Sequence, residues 1–136
     1  MHEIYLAAFE QAVKRARPAT VMAGYNYLNG VPACENRELL TDILRDRWGY
    51  EGLVMSDWGA CVDLPACIRA GMDVEMPDSN GNHFKDLSNA IKTGKLPVSK
   101  LAEAAQRIKE LEETYGRGQR IGKRLNCVVH ETRCRN

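Results

Sequence analysis

The chain has 136 residues, the size of one domain. Hydrophobic residues make up 44% and charged residues 27%, an ordinary globular balance that excludes a disordered chain. The net charge of +1 covers an asymmetry: Gly116 to Asn136 holds six Lys/Arg against the single acid Glu131, so the remainder carries 13 basic and 17 acidic groups.

The first element is an amphipathic helix from Ile4 to Arg17. Tyr5, Phe9, Val13 and Ala16 recur at helical spacing, and Pro18 closes it. Thr20-Val21-Met22-Ala23 reads as a short buried strand, followed by a Gly-, Asn- and Pro-rich loop from Gly24 to Glu35. Asn36 is placed as the N-cap of a helix to Trp48 whose inner face carries Leu39, Leu40, Ile43 and Leu44, with Gly49 as its stop. Gly52 to Ser56 is a second strand, its Leu53-Val54-Met55 run apolar enough to be buried on both faces.

Val62 to Ala70 reads as a helix starting near Pro65 and broken by Gly71. Met72 to Glu75 is a third short strand ended by Pro77, and Asp78 to Asn82 a polar turn. Phe84, Leu87, Ala90 and Ile91 mark a further helix stopped by Gly94. Leu101, Ala104, Ala105, Ile108 and Leu111 mark a last one, from Pro97 to Gly116.

Strands alternating with helices predict βαβ units around a parallel sheet. The fold class is therefore α/β: part of a TIM-like (β/α)8 barrel, with about three βα units and terminal helices. A closed barrel needs about 250 residues. Residues 1–115 are assigned to the barrel part and residues 116–136 to a basic tail, read as a solvated extension. That tail interleaves no aromatics with its charges, so nucleic acid is not an expected partner. No apolar stretch approaches the roughly 20 residues of a membrane span. Met1 to Tyr5 lacks the start of a signal peptide, which leaves the compartment open.

The five cysteines, Cys34, Cys61, Cys67, Cys127 and Cys134, form no CxxC pair, so neither a zinc site nor a disulfide framework is expected. Core or loop thiols are the reading, with Cys34 and Cys61 placed on loops. No metal motif, phosphate loop or cofactor motif is present.

The stretch with most chemistry is Val54-Met55-Ser56-Asp57-Trp58, where an acid follows directly on a buried strand. In α/β proteins such strand ends point at the active site. The plain alternative is that Asp57 caps the next helix. Trp58, a large apolar residue in a loop, favours a site, as do Tyr25 and Asn26 after the first strand and Glu75 after the third, although Glu75 itself is read as a structural residue at that strand end. Asp63 is read as a helix-start residue, Asp73 as support for a strand end, and His83 as a solvated or capping group in a polar turn.

Val21-Met22-Ala23-Gly24-Tyr25-Asn26, Asn29-Gly30-Val31-Pro32-Ala33-Cys34, Leu39 to Arg45, Trp48 to Ala60 and Ala70 to Pro77 together resemble glycoside hydrolase family 3, nearest its β-glucosidases and β-xylosidases. The resemblance runs from about Ile4 to Ile108, and the stretch from Glu113 onward does not share it. It implies that Asp57 is the catalytic nucleophile, that Trp58 lines the sugar pocket, that Tyr25 contacts sugar and nucleophile, and that Met22 faces the pocket. The substrate implied is a β-linked oligosaccharide or an aryl or alkyl β-glycoside, hydrolysed with retention through a glycosyl–enzyme ester.

The family's aspartate, arginine and Lys-His pair from early barrel strands, and the acid/base glutamate of its second domain, match nothing in this chain. The missing barrel half and second domain are therefore expected to be needed for full activity. The competing reading is a non-catalytic truncated barrel that at most binds sugar or a partner chain. A βα-repeat protein of other function is a third.

Overall fold

The computed structural model describes residues 2–116, so the expectations for the basic tail beyond Gly116, with Cys127 and Cys134, lie outside the described residues. A π-type turn at His2–Leu6 leads into helix α1 (Ala7–Ala16). Arg17 ends it in the left-handed region at φ 45°, just ahead of Pro18. Strand β1 (Thr20–Ala23) follows, then a hairpin of β2 (Tyr27–Leu28) and β3 (Val31–Pro32), a single 3-10 turn at Ala33–Glu35, and a helix with wide π-type turns at Glu38–Arg47. Strand β4 (Leu53–Ser56) precedes helices α2 (Leu64–Ala70), α3 (Asn82–Lys92) and α4 (Val98–Tyr115).

β1 and β4 pair in parallel, in the register Thr20↔Leu53 to Ala23↔Ser56, with the Glu38–Arg47 helix as the crossover between them. This is one βα unit of the expected kind. Val54, wholly buried, packs with Val13, Leu40, Ile43, Cys67 and Met72 in the main core. A smaller core joins α2, α3 and α4 through Ile68, Ala90 and Leu96, backed by Leu87 and Leu101.

Local chemistry fixes the element ends. Asn36 accepts the Leu39 N–H at 3.0 Å, and Asp63 accepts the Ala66 N–H at 3.0 Å with Pro65 inside the first turn of α2. Both satisfy orphan donors of a helix start, as their positions in the sequence implied. Gly71, at φ 113°, stops α2 where a left-handed residue is required.

Three expectations need correction. The third strand shrinks to a single parallel bridge, Met55↔Val74. Side chains cut this ladder short: the Asp73 carboxylate takes the Val54 N–H at 2.8 Å, the Ser56 hydroxyl takes the Met76 N–H at 2.8 Å, and Pro77 offers no N–H at all. The Gly24–Glu35 loop contains the β2–β3 hairpin, turned by Asn29 (φ 51°) and Gly30 (φ 82°), the pair that a tight two-residue turn selects. The stripe on α1 buries only Val13, while Tyr5 and Phe9 stand exposed beside Ile4. Phe84 of α3 is likewise exposed.

Candidate active site

Asp57 sits one residue beyond β4, and the backbone holds it there. Its N–H donates to the Ala23 carbonyl at 2.7 Å, continuing the β1–β4 ladder past the last paired residues. Ser56 N–H donates to Val74 at 2.9 Å, Gly59 N–H to the Met76 carbonyl at 2.7 Å, and Ala60 N–H back to Asp57 at 3.1 Å. The turn at Asp57 to Ala60 is thus tied to both neighbouring strand ends. Its Gly59 has φ 82°, which favours glycine.

Asp57 Oδ1 accepts the N–H of Trp58 at 2.6 Å, which sets the orientation of the carboxylate. The Tyr25 hydroxyl donates to the Trp58 carbonyl. The structure therefore brings Tyr25, Asp57 and Trp58 together across the β1 and β4 ends. The tyrosine reaches the neighbouring peptide rather than the carboxylate. Met22 lies opposite Met55 in the ladder register. Side-chain alternation turns Met22 away from the core that Val21 and Ala23 face.

These walls are uncovered: Trp58 is 64%, Tyr25 58% and Met22 56% exposed. Two clefts, of about 670 and 570 Å³, lie elsewhere. The first runs between α1, the Trp48–Leu53 segment and the end of α4, and the second between the Glu38–Arg47 helix and α4. Neither is lined by Asp57, Tyr25, Trp58 or Met22. The candidate site is an open face at the carboxyl ends of two parallel strands.

Beneath that face, burial shapes the remaining chemistry. The Cys34 thiol reaches the Ala23 carbonyl at 3.5 Å, and burial, with Cys61 and Glu35 nearby, pushes its pKa up to about 11. It is an inert core thiol at neutral pH. Asp73 is fully buried and accepts from Arg45 at 2.7 Å and Arg107 at 3.0 Å, so its strand-supporting role is structural. Burial lowers the Arg45 pKa, and the charge of Asp73 opposes that shift.

His83 departs from the solvated group expected: its Nδ1 lies 2.6 Å from Glu75 Oε1, and both side chains are largely covered. Cys61, Glu75 and His83 place their donor atoms within 4.8 Å of one another. Sequence spacing missed this group because its members come from the loop after β4, the residue after the Val74 bridge, and α3.

A parallel βα unit with polar and aromatic side chains gathered at its strand ends is the arrangement of part of a (β/α)8 barrel. The model of the glycosyl hydrolase family 3 N terminal domain matches residues 1–111, and the chain belongs to that family. It is 49% identical over 108 residues to thermostable beta-glucosidase B of Acetivibrio thermocellus, covering 79% of this chain and 14% of that protein. It is 46% identical over 106 residues to an exo-alpha-(1->6)-L-arabinopyranosidase of Bifidobacterium breve, covering 78% and 14%. Among solved structures it superposes on a GH3 beta-glucosidase of Bifidobacterium adolescentis with TM-score 0.75 at 45% identity, covering 79% of this chain and 16% of that one. On beta-glucosidase 3B of Thermotoga neapolitana in complex with glucose the TM-score is 0.77 at 39% identity, covering 82% and 16%. The chain spans about 14% of the length of the curated relatives it matches.

Proposed function

We propose that this chain is the nucleophile-bearing part of a retaining β-glycosidase, and that Asp57 forms the glycosyl–enzyme ester. The observation that supports this reading is an acid one residue beyond a parallel strand, on a turn held by Asp57 N–H to Ala23 and Gly59 N–H to Met76, beside Trp58 and Tyr25. Asp57 attacks the anomeric carbon, the C1–O bond breaks, and the leaving oxygen takes a proton from an acid. Water then attacks C1, losing a proton to the conjugate base of that acid, and the ester bond breaks to restore the carboxylate. Trp58 supplies a stacking wall, Met22 a second apolar contact, and Tyr25 fixes the Trp58 peptide.

Residues 1–115 supply the strand carrying the nucleophile. The acid and the groups that hold sugar hydroxyls come from protein outside these residues. The β-glucosidase names among the relatives favour a β-glycoside as substrate. The exposed Ile4, Tyr5 and Phe9 fit a part that packs against further barrel segments.

The test is a chimera in which residues 4–108 replace the matching segment of the Acetivibrio thermocellus enzyme. It should hydrolyse an aryl β-glucoside, and a 2-fluoro-glucoside should label Asp57, read by peptide mass. D57A should lower kcat by about 10⁴-fold or more. An active chimera that D57A leaves active, or one labelled at another carboxylate, overturns the assignment.

A further inference from the structure

Three groups that can each bind a transition metal converge just past the candidate nucleophile. We propose that Cys61, Glu75 and His83 form a binding site for a zinc-class divalent ion, with Cys67 as the neighbour that supports the thiolate. The donor atoms of the three lie within 4.8 Å of one another. In a tetrahedral zinc site, bonds of about 2.0–2.3 Å put donor atoms about 3.3–3.8 Å apart. The observed cluster reaches that size with movements of about an ångström, the 2.6 Å contact between His83 and Glu75 opening to admit the ion.

The elements carrying the donors are independent, so the cluster is not a by-product of one helix face. Cys61 is buried in the loop after β4, Glu75 follows the Val74 bridge, and His83 sits in the first turn of α3. The Glu75 and His83 side chains are 13% and 22% exposed, which leaves an ion a route in while excluding most competing water. A thiolate, an imidazole and a carboxylate favour zinc-class ions over calcium or magnesium, which prefer oxygen alone.

The ion takes the place of the 2.6 Å contact between His83 Nδ1 and Glu75 Oε1. His83 ligates as a neutral imidazole through Nδ1 and Glu75 as a carboxylate. Cys61 loses its thiol proton to solvent on binding. Cys67 Sγ lies 3.5 Å from Cys61 Sγ. At that distance the Cys67 S–H can donate to the bound Cys61 sulfur. The fourth position is open to water. Once bound, the ion ties the loop that follows Asp57 to the residue after the Val74 bridge and to α3. This site is separate from the glycosidase reading and stands if that reading fails.

The test uses the full 136-residue chain, reduced and metal-free, titrated with Co²⁺ and then with Zn²⁺. Co²⁺ should give a thiolate charge-transfer band and intense tetrahedral visible bands, saturating at a single ion per chain, and Zn²⁺ should displace it. H83Q and E75Q should each weaken binding by about tenfold or more, and C61S should abolish the charge-transfer band. The double variant C127S/C134S should keep the bands. Zn²⁺ should raise the unfolding temperature of the parent chain and leave that of H83Q unchanged. Cys61 is buried, so C61S can itself disturb the loop. H83Q, at a partly exposed position, keeps the test decisive. Bands that survive H83Q and vanish in C127S/C134S, or a folded chain that gives no bands, overturn the proposal.

Discussion

Replacing Asp73 tests what holds β4, and with it Asp57, in place. The carboxylate is fully buried and has three partners: Arg45 Nη2 at 2.7 Å, Arg107 Nη1 at 3.0 Å and the Val54 N–H at 2.8 Å. Asp73→Ala strands a guanidinium that is only 10% exposed. Breaking a buried pair from one side costs about 3–5 kcal/mol. The lower end applies, because Arg45 keeps the carbonyls of Gly52 at 3.1 Å and Gly71 at 2.9 Å while Arg107 can turn to water. The orphaned Val54 N–H adds about 1 kcal/mol. The expected loss is therefore about 4 kcal/mol, or a urea midpoint lower by about 2 M at an m-value of about 2 kcal/mol per molar. Asp73→Asn keeps an acceptor oxygen and loses only the charge, so its loss should be about half as large. Equilibrium urea unfolding followed by tryptophan fluorescence reads both. A loss below about 1 kcal/mol in Asp73→Ala, the value of an exposed pair, would refute the argument that this carboxylate anchors the strand.

Other perturbations probe separate links. Burial raises the Cys34 pKa from 9.0 to about 11, so the folded state favours the neutral thiol. Its contribution is complete below pH 9 and is lost as pH rises toward 11, because the unfolded chain ionises first. Urea midpoints measured across that window should fall for the parent chain and fall less steeply for Cys34→Ala. Gly71→Ala puts a Cβ at φ 113° and 2.8 Å from Thr41 Oγ1, and should cost about 1–3 kcal/mol in the same assay. Asp63→Ala removes the cap on the Ala66 N–H and should cost about 1 kcal/mol, with Asp63→Asn recovering most of it.

The sequence was most legible where local chemistry and burial agree. Leu53-Val54-Met55 is an apolar run that forms β4 directly, and Asn36 and Asp63 start helices because each side chain reaches an orphan N–H three residues on. The hairpin turn is encoded in Asn29-Gly30, but its strands, only two residues each, are too short to show an alternating pattern. Met72 to Glu75 has strand character, but the Asp73 and Ser56 side chains take backbone N–H groups that a longer ladder would use. The pairing of His83 with Glu75, and the approach of Cys61 to both, depend on how the polar turn at Asp78–Gly81 folds back. No spacing rule encodes that. The stripe on α1 has helical periodicity, and its exposure depends on what packs against it, which periodicity does not specify.

The site divides position from affinity, and Trp58 separates the two. Position comes from short backbone contacts around Asp57 that need no ligand. On the proposed glycosidase reading, affinity comes from surfaces that a sugar covers, and Trp58 is 64% exposed. An indole buries 150–250 Å² when fully enclosed; a sugar on one face covers about half of that, worth about 2 kcal/mol at roughly 25 cal/mol per Å². Since 1.4 kcal/mol is a factor of ten, Trp58→Ala in the chimera should raise KM for an aryl β-glucoside roughly thirtyfold. If stacking is equal in ground and transition states, kcat should hold within a few-fold. Loss of kcat with KM unchanged would instead place the indole's role in holding Asp57. The Asp57 contact to the Trp58 N–H survives the substitution, because it belongs to the backbone. An unchanged KM together with an unchanged kcat would remove Trp58 from the sugar site altogether.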